Sequence, residues 1–456
     1  MMIDEIKNLN IAPSIPTQKE AFWYWLKLGF ISFGGPAGQI AIMHHDLVEK
    51  KRWISEKRFL HALNYCMMLP GPEAQQLATY IGWLMHKTSG GLIAGGLFIL
   101  PSLLILIMLS TIYIKFGNLP LVAGVLYGIK PAVLAIVLFA AYRIGSKVLK
   151  NKALWGISVV SFLLITFFKL PFPTILLMAA LTGWLIDHYH PQLFTTSKSH
   201  CARQVDYGKA AIDDDTPTPT HAKFKLKTCL KWLLIGLGIW ITAMLLLMLH
   251  FGWTSTPTQM GWFFTKAALL TFGGAYAVLP YVFQGAVRHY QWVSAAQMMD
   301  GLALGETTPG PLIMVVTFVG FIGGWQQPFL GEGNTLLSAI FAACLVTFFT
   351  FLPSFIFILF GAPFIESTQN IVKLTAPLTA ITAAVVGVII SLAVFFGLHI
   401  FWPNGYIHFV SAIDWVAVIA ALSAGIALFK YKISIIRLIG IFALLGLLIS
   451  VFKLYL

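Results

Sequence analysis

Phe33-Gly34-Gly35, Trp53 and Pro70-Gly71-Pro72 recur 239 residues later, without a gap, as Phe272-Gly273-Gly274, Trp292 and Pro309-Gly310-Pro311. Between Trp23–Pro72 and Trp262–Pro311, twelve of fifty positions are identical, among them Lys27 with Lys266 and Ser55 with Ser294. The shared residues are mostly glycine, proline and tryptophan, so the two copies hold backbone geometry in common. Further on the pairing drifts but persists: Leu100-Pro101-Ser102 answers Leu352-Pro353-Ser354, and Pro131 answers Pro377.

The residues around these motifs are apolar. The chain is 58% hydrophobic and 10% charged, with a mean hydropathy of +0.82; a soluble domain carries about 25% charged residues. Runs such as Leu92–Ile114, Leu121–Tyr142 and Ile433–Phe452 approach the roughly 20 residues that a bilayer crossing needs. They are continuously apolar and do not alternate, which argues for helices and against a membrane β-barrel. The expected fold is an all-α polytopic membrane protein. Its net charge of +13 reads as basic cytoplasmic loops, with no nucleic-acid partner. Cys66, Cys201, Cys229 and Cys344 are scattered and read as free thiols.

Residues 1–20 read as a polar cytoplasmic segment without a cleavable signal peptide. The first repeat is expected over 21–187, with apolar elements at 21–44, 58–86, 90–114, 119–142, 153–169 and 171–187. Residues 188–229, with Asp213-Asp214-Asp215 and the alternating Thr-Pro run, read as a flexible cytoplasmic linker. One extra transmembrane helix follows at 230–251. The second repeat, 261–456, has elements at 261–285, 297–324, 335–360, 371–401, 412–429 and 433–453. An even number of elements followed by one added crossing predicts two inverted-topology repeats of about six elements each.

Charge placement is consistent with this, except in one loop. Lys198, Arg203, Lys209 and Lys223 fall in the linker, whereas Lys50, Lys51, Arg52, Lys57 and Arg58 would lie outside if 21–44 crossed completely. Re-entrant hairpins broken at Gly34-Gly35-Pro36 and Pro70-Gly71-Pro72 remove the conflict; full crossings kinked at proline are the alternative.

Such breaks start half-helices inside the membrane. A helix N-terminus presents unpaired N–H groups and about half a positive charge, so it binds oxyanions. Two breaks in each of two repeats suit a tetrahedral anion at a midplane site.

The run Phe33-Gly34-Gly35-Pro36, Trp53-Ile54-Ser55-Glu56 and Leu69-Pro70-Gly71-Pro72-Glu73-Ala74, with Gln76-Leu77-Ala78 and Gly82, resembles the chromate ion transporter family in its long, two-domain form. The resemblance covers nearly the whole chain and implies a bacterial inner-membrane protein that exports chromate and confers chromate resistance. The second copy departs from the pattern, with Ala275 for the proline and Leu312 for the glutamate, so unequal ligands are expected from the two halves.

The candidate substrate-binding residues are Gly34, Gly35, Gly71, Gly273, Gly274 and Gly310 at the breaks. Ser32, Gln39, Gln75, Gln76, Thr271, Thr307 and Thr308 are candidate neutral donors, with interhelical hydrogen bonds as the alternative. Lys27 and Lys266 could draw the anion in or snorkel to the interface, and Lys130 is a lone charge within an apolar span. A carboxylate beside a dianion repels it unless protonated. Glu73 and Glu306 are therefore candidates for proton coupling, and a helix cap is the alternative for Glu73. His44-His45-Asp46 with Glu49 has metal-site residue types but reads as membrane-surface histidines, and no metal or cofactor is expected. No Walker loop or hydrolase motif appears. The expected partners are chromate or a related oxyanion such as sulfate, and the lipid bilayer; a homodimer is compatible with the sequence. Alternating-access export is the leading expectation. Transport of another oxyanion, an anion channel and an intramembrane enzyme are the competitors.

Overall fold

The computed structural model describes residues 13–117, 119–189, 207–217, 219–367, 375–403 and 413–455. These form sixteen α-helices and no β-strand. The first half holds α1 (Gln18–Ile31), α2 (Gly35–His44), α3 (Glu56–Met68), α4 (Glu73–Phe116), α5 (Pro120–Val148), α6 (Lys152–Thr166) and α7 (Phe172–Tyr189). After α8 (Leu226–Phe251) come α9 (Thr256–Leu269), α10 (Ala275–Phe283), α11 (Ala295–Thr307) and α12 (Val315–Gln326). The chain ends with α13 (Thr335–Ser367), α14 (Thr375–Phe401), α15 (Trp415–Phe429) and α16 (Ile435–Tyr455). Among the described residues, six helices, α4, α5, α8, α13, α14 and α16, are long and apolar enough to cross a membrane.

The sequence repeat extends to the element boundaries. α2 passes into a π-helical turn at His45–Lys50, and α10 does the same at Gln284–His289. Ser55 caps α3 through the Arg58 amide, as Ser294 caps α11 through that of Gln297. The expected element 21–44 is two short helices, α1 and α2, and 58–86 is α3 followed by the first leg of α4. At 14 and 13 residues, α1 and α3 span only about 20 Å, less than the hydrocarbon thickness.

Contacts show where each short helix leads. The Trp53 ring packs 5.2 Å from that of Tyr24, and Lys51 Nζ lies 5.7 Å from the same ring, so the chain leaves α2 near the start of α1. α4 breaks at His86 and Lys87 (φ 59°), and the His86 ring contacts the Pro16 carbonyl at 2.7 Å. Both helix pairs thus return to one end of the bundle. In the second half, Trp292 packs on Phe263, and Gln326 Nε2 donates to Gln297 Oε1 at 3.0 Å. α8 joins the two ends: Phe224, just before it, packs on Phe364, and Phe251 at its close packs on Phe341.

The halves interlock. α5 packs mainly on α16, and α6 and α7 pack on α14. Gly124 and Gly128 of α5 meet Gly446 of α16 so closely that a Cβ at Gly128 would lie 2.7 Å from the Gly446 Cα. This is the small-residue crossing that membrane helices use.

Part of the expected linker packs on the bundle. The N-terminal part of the expected flexible segment, with Lys198, Cys201 and Arg203, lies outside the described residues, as do residues 1–12. The rest is docked. Ile212 and Ala222 are buried, the Ser55 amide donates to the Ile212 carbonyl at 3.0 Å, and Ser55 Oγ donates to Asp214 at 2.6 Å. Backbone pairing supplies this order, which composition alone does not reveal. Within the former linker, α8 begins at Leu226, four residues earlier than expected.

Candidate functional site

The inner ends of the short helices face one another. α2 starts at Gly35 with Pro36 in its first turn, and α10 starts at Ala275 after Gly274. At Gly35, φ is 72° and a Cβ would lie 2.9 Å from Leu312 Cδ1, so the position requires glycine. Between the two starts lies a cavity of about 710 Å3 whose wall includes Gly34, Gly35, Gly273 and Gly274. The first-turn N–H groups of both helices lack intrahelical partners and carry partial positive charge.

Fixed charges complete the wall. Arg143 and Lys147, from the last turns of α5, line the cavity together with Glu73, which lies within electrostatic reach of both. Toward the linker end, His44 contacts Glu49 at 3.1 Å and also pairs with Glu56; all three line the mouth. His45 lies 2.7 Å from Glu49, and this hydrogen bond holds the Glu49 carboxyl below its usual range. A largely apolar chamber that carries Arg143 and Lys147 and has two helix N-termini at its base is chemically suited to a small anion.

The family model described as chromate transporter matches residues 19–184 and 258–447. The chain belongs to this family. It is 29% identical over 383 residues to the chromate transport protein of Cupriavidus metallidurans, covering 84% of this chain and 83% of that one. It is 32% identical over 375 residues to the chromate transport protein of Pseudomonas aeruginosa, covering 81% and 79%. It is 27% identical over 399 residues to the probable chromate transport protein of Synechococcus elongatus, covering 87% and 88%. No solved structure matches it. The relatives carry the names of transport proteins, and this multi-pass chromate transporter family member has the helices of a membrane protein.

In this chromate transporter family member, the Pro-Gly-Pro breaks lie outside the cavity wall. The Gly71 amide donates to the Thr271 carbonyl at 2.8 Å, and the Gly310 amide donates to the Ser32 carbonyl at 2.7 Å. The two bonds are equivalent under the repeat, so each half ties its second break to the first break of the other. Gln39 Nε2 reinforces one side by donating to the Gly310 carbonyl at 2.5 Å and to that of Ser32 at 3.3 Å. Gln76 Nε2 donates to the Pro70 carbonyl at 2.8 Å, and Gln75 donates to Thr79 at 3.0 Å. The hydroxyls of Thr271, Thr307 and Thr308 donate back to the carbonyls of Ala267, Leu304 and Gly305.

The predicted cations are dispersed. Lys27 is exposed on α1, and Lys266 Nζ lies 5.5 Å from the Trp262 ring centre; neither lines the cavity. Lys130 is 3.2 Å from Asp300, which also accepts from the Tyr113 hydroxyl at 3.0 Å. Glu306 is buried and accepts from the Tyr276 hydroxyl at 2.6 Å. Sequence reasoning missed Arg143, Lys147, Tyr276 and Asp300 as site candidates. The expected element 119–142 leaves the first two in a loop, whereas α5 runs on through Gly145 to Val148.

Proposed function

We propose that this protein exports chromate, or a related tetrahedral oxyanion such as sulfate, across the bacterial inner membrane by alternating access. The observation that carries the reading is the cavity into which α2 and α10 direct their N-termini beside Arg143 and Lys147. Backbone donors from equivalent places in the two halves would hold the anion, and Arg143 and Lys147 would neutralise a dianion when Glu73 is protonated. The substrate comes from the names of the relatives.

The two halves act in this proposal as inverted repeats, with the linker end cytoplasmic. The cavity then faces inward, and the Lys130–Asp300 pair lies in the layer that closes the outer side. A dianion leaving a negative interior gains roughly 4.6 kcal/mol per 100 mV, enough to drive export without another coupled ion. An anion channel is the competing reading, and saturable counterflow distinguishes the two.

The test is chromate uptake into inverted membrane vesicles with the membrane potential and the pH gradient collapsed separately. Uptake that saturates and is lost in Gly35→Val supports the proposal. Failure to move chromate in either vesicle polarity overturns the substrate.

A further inference from the structure

Glu306 stands out among the carboxylates of the bundle. It is buried, and its hydrogen bond within the protein comes from Tyr276. Beside it is a void of about 10 Å3, lined by Ala275, Tyr276, Leu279, Leu302, Leu312 and Val315, with room for one water at most. Tyr276 also lines the large cavity, one residue beyond the start of α10. The phenol therefore stands between the cavity and the carboxylate.

The repeat shows that this arrangement exists once. The counterparts of Tyr276 and Glu306 are Ala37 and Met67, and both line the large cavity. Packing symmetry alone would not call for a phenol and a carboxylate in one half.

We propose that Tyr276 is the relay through which Glu306 exchanges protons with the cavity, so that the charge on Glu306 is set from the anion-binding chamber. The proposal deepens the transport reading and rests on it for the identity of the anion. In the relay step, the Tyr276 hydroxyl passes its proton to Glu306 Oε1. Its oxygen takes a replacement from a hydronium ion in the cavity, which becomes water. One O–H bond breaks and one forms at the phenol oxygen, and the tyrosine ends neutral.

Other charges lie on the elements packed around the pair. Arg143 of α5 lies within electrostatic reach of Tyr276, and Lys147 of α5 and Glu73 of α4 line the same cavity. On α11 itself, Asp300 is held by Lys130 of α5 and Tyr113 of α4. α9 brings Lys266, α7 brings Asp187 and His188 near its end, α14 brings His399 and α16 brings Arg437. α12 has no ionisable side chain. A dianion at the Gly273-Gly274 turn raises the negative charge seen by Glu306 and draws the proton inward.

The experiment is a pH jump on the full-length protein in detergent, followed by time-resolved infrared absorption of the protonated carboxyl group. A carboxyl band lost in Glu306→Gln identifies the group. In Tyr276→Phe, which keeps the ring, the band is expected to form at least about tenfold more slowly, whatever final height the lost hydrogen bond gives it. A final height that differs, at an unchanged rate, would indicate only a lost hydrogen bond and would overturn the relay. An unchanged rate at unchanged height would overturn it too, as would the absence of any Glu306-dependent band. Adding chromate at pH 8 should increase the band in the wild type. If chromate has no effect while Tyr276→Phe still slows the band, the relay stands and the chromate reading fails.

Discussion

The amide of Gly310 and the carbonyl of Ser32 are joined by a 2.7 Å hydrogen bond between residues that belong to different halves of the chain. Its mate, from Gly71 to Thr271, repeats the bond at 2.8 Å. Reciprocal bonds of this kind are what a two-fold axis produces when a surface meets its own copy. They place the four helix breaks together and leave the Gly-Gly turns free to face the cavity.

Gly310→Ala should weaken this junction. Here φ is 105°, and the new Cβ would sit 2.8 Å from that of Ser102. Strain in this backbone region costs about 1–3 kcal/mol before the clash is counted. A lower melting temperature in detergent and reduced transport are expected, with partial recovery on adding Ser102→Gly. Gly34→Ala should cost less, because nothing lies within 4 Å of its Cβ position.

Gln39→Leu should leave the Ser32 and Gly310 carbonyls without their side-chain donor. Losing a buried hydrogen-bond partner costs about 1–3 kcal/mol. Thermal unfolding of the purified variant is the measurement, and an unchanged midpoint would show that the amide adds nothing to the crossed pair.

Arg143→Gln or Lys147→Gln should raise the apparent KM for chromate about tenfold, an effect that shrinks at high ionic strength. Lys27→Gln and Lys266→Gln should change it by less than about twofold, since neither side chain lines the cavity. Initial rates in vesicles at two salt concentrations check both statements.

The Lys130–Asp300 pair should respond asymmetrically to mutation. The side chains are 26% and 6% exposed, so removing Lys130 strands the buried carboxylate at a cost of about 3–5 kcal/mol, whereas removing Asp300 leaves the more exposed ammonium and costs less. Replacing both, as Lys130→Met with Asp300→Leu, should restore most of the lost stability. Melting midpoints of the two single variants and the double variant decide it.

Ile212→Asp should detach the linker from the basic loop. Ile212 is 2% exposed and pairs with the backbone at Trp53 and Ser55. Tryptic cleavage after Lys209 should then accelerate by about tenfold, as expected when local opening becomes easier.

The helix interruptions were legible because glycine and proline state their backbone constraints locally. The basic run from Lys50 to Arg58 likewise pointed toward the linker end, and the Ala211 amide does donate to the Arg52 carbonyl at 2.8 Å. Long-range pairing left no such trace. The hydrogen bonds of Gly71 and Gly310 use backbone atoms, which every residue but proline offers alike, so their partners could not be read. Lys130 looked solitary because Asp300 lies far along the chain in a helix with little apolar periodicity. Arg143 and Lys147 looked like a loop because hydropathy fell before the helix ended.

The crossed junction also constrains the order in which the chain can mature. Gly71 leaves the ribosome about 200 residues before Thr271, which at 5–20 residues per second is an interval of about 10–40 s. From the completion of the first half until Thr271 emerges, the Gly71 amide and the Ser32 carbonyl stay open at the centre of the bundle. The nascent protein is therefore most vulnerable before its second half arrives, and a premature stop within the linker leaves a fragment that only a second copy, or a separately made partner half, could complete.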